Sequence, residues 1–243
     1  MSTRNAILFV PLLDLALVCC MGGFLYRVDA TPEDSLVRGQ SEGKSVTAVL
    51  PGASQTVAPS DQMVRQELLG IHGNLKHLVF AIDKSGSMAY GGKWEYVRGV
   101  IDTWLRYLDI EQCALVVFDG SVTVFPPSGG YLDLTGADGP GNRQWLLARL
   151  AELKPGGTTN TLAALQTAYA LNPDSVVLAT DGYPCSGSNR FDTRMAGQAA
   201  TLCRTHGHSV PIHVLALGDY FHPQLGNFLR AIAETSGGSY IGR

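Results

Sequence analysis

Four apolar runs of strand length, 76–82 (KHLVFAI), 113–118 (CALVVF), 175–179 (SVVLA) and 212–217 (IHVLAL), are continuous rather than alternating. A strand with one face in water alternates apolar and polar residues. One buried on both faces does not, and such strands belong to a parallel sheet covered by helices. The covering helices are legible between the runs. Trp94, Val97, Ile101, Trp104, Leu105 and Leu108 recur at helical spacing, as do Trp145, Leu146, Leu150 and Leu153, and further helical periods occupy 162–171, 191–204 and 225–233. The three tryptophans therefore read as core anchors. Residues 121–125 (SVTVF) alternate and follow Asp119-Gly120, a hairpin signal that predicts one antiparallel edge strand. The expected architecture over 70–243 is α/β, an open, doubly wound, mostly parallel sheet.

A chain of 243 residues holds one such domain and an appendage, which excludes two large catalytic domains. Hydrophobic residues make up 45% and charged residues 16%, against a usual charged share of about 25%, so the apolar excess belongs in lipid or a dry core. Lys and Arg number 18 and Asp and Glu 21, a net charge of −3. With no basic field to attract phosphate backbones, nucleic acid is excluded as a partner class. Five cysteines without a CxxC pair make neither a disulfide scaffold nor a zinc or thioredoxin-type site.

Residues 6–26 (AILFVPLLDLALVCCMGGFLY) are 21 positions with one charge, Asp14. As a helix they reach about 31 Å, one hydrocarbon thickness. The expectation is a transmembrane anchor over 1–28, the N-terminus inside and the globular part outside the cytoplasm. The rival is a secretory signal peptide cleaved near Val28-Asp29-Ala30, which would make the protein secreted. Asp14 is the odd residue, since a carboxylate near a membrane-helix centre costs about 2.5–3.5 kcal/mol and calls for a proton or a partner. Residues 29–69 have no sustained apolar period and are rich in Ser, Gly, Thr and Pro, the signature of a linker, with 61–70 (DQMVRQELLG) a short helix leading into the domain. A GxSxG string at 39–43 lies in that linker, without the strand and helix that a nucleophile elbow requires.

Ligands of an open α/β sheet sit at the carboxyl ends of its strands, so the residues that follow each run carry the function. The first runs into Asp83-Lys84-Ser85-Gly86-Ser87-Met88, with oxygen side chains at i, i+2 and i+4. Pro155-Gly156-Gly157-Thr158-Thr159-Asn160-Thr161 precedes the third helix, and Thr180-Asp181-Gly182 ends the third of the four runs. Two carboxylates and three hydroxyls, from Asp83, Ser85, Ser87, Thr159 and Asp181, suit a hard divalent cation, Mg²⁺ or else Mn²⁺ or Ca²⁺. Neutral hydroxyl ligands leave such an ion under-neutralised, so an open position would attract a carboxylate from another molecule. Any one of these motifs could instead cap a turn or helix.

Taken together, Asp83-x-Ser85-Gly-Ser87, Thr159-Asn160-Thr161 and Thr180-Asp181-Gly182 resemble the metal-ion-dependent adhesion site of von Willebrand factor type A domains, a similarity that covers all of 70–243. The resemblance implies that Ser85, Ser87 and Thr159 contact the metal and that the two aspartates act through water. Thr158 is the alternative to Thr159. It also implies a binding or cell-adhesion module rather than an enzyme, its partner a protein that supplies an Asp or Glu. Family members commonly end on a helix after the last strand, whereas this sequence stops at Arg243, so a static module without a helix-borne switch is expected. Pro11-Leu12-Leu13-Asp14-Leu15 resembles the start of the transmembrane helix of the ExbD/TolR family. That implies the alternative of a proton-driven complex with a multi-spanning membrane partner at Asp14. His206, His208 and His213 suggest a transition-metal cluster, but they straddle a helix end and the next strand, where single surface and packing histidines are commoner, and Cys185 and Cys203 would pair only in an oxidising compartment.

Overall fold

The computed structural model describes residues 70–243 apart from 186, 188, 189, 219 and 220. The expected anchor with Asp14, Cys19 and Cys20, the linker and its short helix lie outside these residues. Among the described residues no helix is long and apolar enough to cross a membrane.

The described residues form seven strands and five α-helices: β1 (His77–Asp83), α1 (Lys93–Tyr107), β2 (Gln112–Phe118), β3 (Val122–Phe125), β4 (Leu132–Asp133), α2 (Gly139–Glu152), α3 (Thr161–Ala170), β5 (Ser175–Thr180), α4 (Thr193–His206), β6 (Ile212–Ala216), α5 (Pro223–Ser236) and β7 (Tyr240–Gly242). One sheet runs β3-β2-β1-β5-β6-β7, with β4 also pairing β2. β1 lies parallel between β2 and β5, with Phe80 opposite Leu115 on one side and Val177 on the other. The expected antiparallel edge is β3, whose Phe125 pairs Leu115. Two short strands escaped the sequence reading, β4 and the parallel β7. At two and three residues, neither is long enough to show a period.

The continuous apolar runs are explained by the two layers of helix. Leu78, Phe80 and Ile82 of β1, with Leu115, Val117 and Val177, meet the α1 and α2 residues Val97, Ile101, Trp104, Leu105, Leu146 and Leu150. Phe80 stacks on Trp104 at 6.2 Å between ring centroids. On the other face Val79, Ala81, Val116, Leu178 and Val214 meet Ala164, Leu165, Ala168, Ala199, Leu229 and Ile232 from α3, α4 and α5. Each fully buried Val, Leu, Ile or Phe contributes about 1.5–3 kcal/mol, so every position of the central strands supports the fold. A polar group at the end of β1 is therefore costly unless something compensates it.

Candidate metal and ligand site

Asp83, the last residue of β1, is fully buried. Its Oδ1 accepts the Ser85 N–H at 2.7 Å and its Oδ2 accepts the Thr180 hydroxyl at 2.6 Å. Ser85 N–H is freed for this because the chain turns immediately into a 3-10 turn, Gly86–Ala89, pinned by buried Met88. The turn is clamped to the loop before α3 by two backbone bonds, Gly86 N–H to Gly157 O at 3.1 Å and Gly156 N–H to Lys84 O at 2.6 Å. Those bonds fix Thr159 relative to the serines.

The five sequence-derived residues converge. Ser85 Oγ and Ser87 Oγ lie 3.1 Å apart, and Ser87 Oγ donates to Asp181 Oδ1 at 2.8 Å. A Cβ placed on Gly182 would fall 2.8 Å from Thr159 Oγ1 and 3.2 Å from Asp83 Oδ2, so both oxygens face the space that this glycine leaves open. Thr159 is buried, whereas Thr158 Oγ1 points instead at Gly120, 2.7 Å from where a Cβ would stand there. Ser87 is exposed at the mouth of an open cleft of about 590 Å³, lined further by Tyr90, Lys93, Tyr183 and Cys185.

The electrostatics follow from burial. Desolvation pushes the Asp83 carboxyl up to about 6, against the opposing hydrogen bonds from Thr180 and Ser85 and with the Asp181 charge adding to it. Asp181 is compensated differently, by the Lys93 ammonium at its Oδ2. At the end of β2, burial would raise Asp119, but the Lys84 ammonium and both donors of Ser121 outweigh it and hold the carboxyl below its ordinary range.

Sequence reasoning missed Lys93, Thr180 and the Lys84–Asp119 pair as parts of the site. Thr180 was legible in principle, being next to Asp181 on a strand end; no spacing signal marks Lys93. Asn160, inside the Thr-Asn-Thr element, caps α3 by accepting Ala163 N–H at 3.1 Å. Cys185 and Cys203 are free thiols, so the disulfide that the sequence left open is not formed. Cys185 instead accepts Thr159 N–H at 3.4 Å and donates its own N–H to Thr159 O at 2.8 Å, bracing the site loop. The histidines do not form a cluster either. His206 stacks on Tyr169 at 3.9 Å, His208 sits against Gly237, and His213 is buried in β6. Among the described residues no group of three His, Cys, Asp or Glu side chains could hold a metal. The candidate site is of another chemistry, two carboxylates with three hydroxyls.

Residues 78–183 match the family model of the von Willebrand factor type A domain. This segment is a von Willebrand factor type A domain. The match spans β1 to the Asp181 turn, and so takes in all five candidate site residues. No curated protein matches the chain. Among solved structures, a von Willebrand factor type A protein from Catenulispora acidiphila superposes with a TM-score of 0.55 at 20% identity, over 68% of this chain and 38% of that one. The conserved hypothetical protein BatB from Bacteroides thetaiotaomicron gives 0.50 at 15% identity, over 68% and 89%. The pilus adhesin SpaC from Lactobacillus rhamnosus GG gives 0.51 at 15%, over 72% and 29%. The chain thus spans well under half of the first and third of these proteins, and the likeness is one of fold.

Proposed function

We propose that this domain holds a divalent cation, Mg²⁺ or in its place Mn²⁺ or Ca²⁺, and through it binds an acidic side chain of a protein partner. The observation that carries the reading is the cradle at Gly182, where Thr159 Oγ1 and Asp83 Oδ2 face one space that a single Cβ would fill. Hydroxyl and carboxylate oxygens are the donors a hard cation selects. Ser85, Ser87 and Thr159 would hold the ion directly, with Asp83 and Asp181 supplying the charge. When bound, the ion adds a Lewis-acidic point that attracts a carboxylate. The rest is done by the chain: Thr180 and the Ser85 N–H orient Asp83, the Gly86–Gly157 clamp sets the serines against Thr159, and Ser87 at the cleft mouth meets the partner. This is a binding role with no catalytic step, in keeping with a fold shared with a pilus adhesin. Residues 6–26 would anchor the domain in a membrane, on its extracytoplasmic side.

The test is the thermal midpoint of the purified full chain in Mg²⁺ or Mn²⁺ against chelator. At a hundred times Kd the ion should add about 2.7 kcal/mol of stability. Ser85→Ala should remove that gain. No shift at millimolar metal, or an equal shift in the variant, would overturn the reading. Metal-dependent capture of an Asp- or Glu-bearing protein, lost in chelator, is the expected binding outcome.

A further inference from the structure

Lys93 is the first residue of α1, and its side chain enters the site cleft rather than solvent. Three things hold it there. The helix fixes its base. Its stem and head lie along Gly218, just beyond β6, where a Cβ would stand 3.4 Å from both Lys93 Cδ and Lys93 Nζ. Its ammonium pairs with Asp181 Oδ2, on a carboxylate only 1% exposed, while the lysine side chain itself is 22% exposed. Among the described residues that line the cleft, Lys93 is the one cation.

The charge arithmetic then has a consequence for any ion that binds. Without Lys93, Asp181 would be a buried carboxylate with a single hydroxyl donor, Ser87, an uncompensated charge of the kind that proteins avoid. With Lys93 in place, the carboxylate is already neutralised. A divalent ion held by the hydroxyls would draw on the Asp181 charge and so stand close to the ammonium, and like charges at that range in a partly buried site repel strongly.

We propose that Lys93 is the resident counter-ion of this site, which an incoming divalent cation must displace from Asp181, so that Lys93 sets the cation affinity. The inference rests on the metal-binding reading above. Lysine suits the task because its flexible stem lets a compact ammonium leave for water, and at this position the side chain is already partly exposed. The site thereby alternates between two neutralised forms, one closed by its own lysine and one by a metal.

The experiment uses Mn²⁺ alone on the purified full chain, with two readouts. In calorimetric titration, Lys93→Met should bind Mn²⁺ tenfold or more tightly than wild type, while its metal-free thermal midpoint falls by several degrees. Lys93→Arg, which keeps the charge, should stay within about threefold of wild type. In amine acylation read by mass spectrometry, Lys93 of the wild-type chain should react severalfold faster once Mn²⁺ is saturating. This second readout needs no variant and so holds even if Lys93→Met folds poorly. Equal or weaker Mn²⁺ binding by Lys93→Met, with Ser85→Ala still abolishing binding, would overturn the counter-ion role and leave the metal site standing; unchanged acylation at saturating Mn²⁺ would do the same. Mn²⁺ binding by Lys93→Met alone, with none in wild type, would overturn cation binding by the native domain while supporting Lys93 as the group that closes the site. No uptake by wild type, Lys93→Met or Lys93→Arg would overturn both readings together.

Discussion

Lys84 with Asp119 and Lys93 with Asp181 pair the same two side-chain types at the carboxyl end of the same sheet. Asp119 is saturated. One oxygen takes Lys84, the other takes Ser121 N–H and hydroxyl at 2.7 and 2.8 Å, and its backbone carbonyl takes Asn160 N–H at 2.8 Å. It is a brace that ties the β2–β3 turn to the loop carrying Thr159. Asp181 likewise pairs with one lysine but has a different neighbour, the exposed Ser87 at the mouth of the cleft. Between the two stands Asp83, with hydroxyl and N–H donors and no cation among its hydrogen-bond partners. Three adjacent strands thus end at an aspartate or one residue before it, and what each can do is decided by what sits on its free side. The pair locked between loops stabilises, and the pair that faces the cleft is available to a ligand.

Deleting each aspartate in turn separates the two pairs most strongly. Asp181→Ala should abolish the whole metal-dependent rise in midpoint, about 2.7 kcal/mol at a hundred times Kd. Asp119→Ala should lower stability by about 1.5–3 kcal/mol, as expected for lost hydrogen bonds to a charged group, yet keep the metal response. Differential scanning calorimetry with and without Mn²⁺ measures both. Equal loss of the response in the two variants would mean that the brace and the cleft are one unit.

An effect of similar size concerns Asp83 in chelator. Its carboxyl is raised to about 6 by burial, from an ordinary 3.8. A raised acid binds its proton more tightly in the folded state. Its contribution is therefore fully present below pH 4 and lost as pH rises through about 6, a cost of about 3 kcal/mol at pH 8. Asp83→Asn keeps the shape and removes the titration. It should make the metal-free protein more stable at pH 8 by up to that amount, leave it nearly unchanged at pH 4, and eliminate the metal response. Asp119 has the opposite sign, being held below its ordinary range.

Much of this was legible in the sequence, and the reasons are specific. β1, β2, β5 and β6 declared themselves because both faces are buried, so no polar residue interrupts them until the strand ends; that is also why the oxygen-bearing residues stood out at the ends. Asp83, Ser85 and Ser87 were readable as a set because one tight turn carries all three. Lys93 was not, because its role depends on how α1 is set against β6 and the Gly218 that lies under its stem, a relation between elements far apart in the chain. The Cys185–Cys203 pairing was open for a related reason: two cysteines in one sequence allow a bond, but Cys185 is held at the Thr159 loop while Cys203 is buried on α4.

Gly182 bears on the ligand side of the cleft. In Gly182→Ala the new methyl would meet Thr159 Oγ1 at 2.8 Å and Cγ2 at 3.1 Å. Threonine is stiff about its first side-chain torsion, so it cannot simply turn away. A loss of about 1–2 kcal/mol of stability is expected from the overpacking, along with a roughly tenfold weaker Mn²⁺ response measured by titration, since one tenfold step corresponds to about 1.4 kcal/mol. An unchanged response would show that Thr159 is not part of the cradle.

The smallest effect belongs to the brace. Lys84 and Asp119 side chains are 18% and 17% exposed, so their attraction is partly screened. Lys84→Met should cost about 1 kcal/mol, at the upper end for an accessible ion pair, because Asp119 retains both Ser121 donors. The pH profile distinguishes this from simple packing loss. A carboxyl held low contributes stability that is present above its unfolded value of 3.8 and lost as pH falls through the folded one. Removing Lys84 weakens that hold, so the difference between wild type and Lys84→Met should be constant from pH 5 to 8 and shrink in acid below pH 4. It should also shrink in high salt, as screening takes over. A difference that stays the same at pH 3 would make the Lys84 stem, rather than its charge, the stabilising part, and the two lysine–aspartate pairs would then differ in kind as well as in exposure.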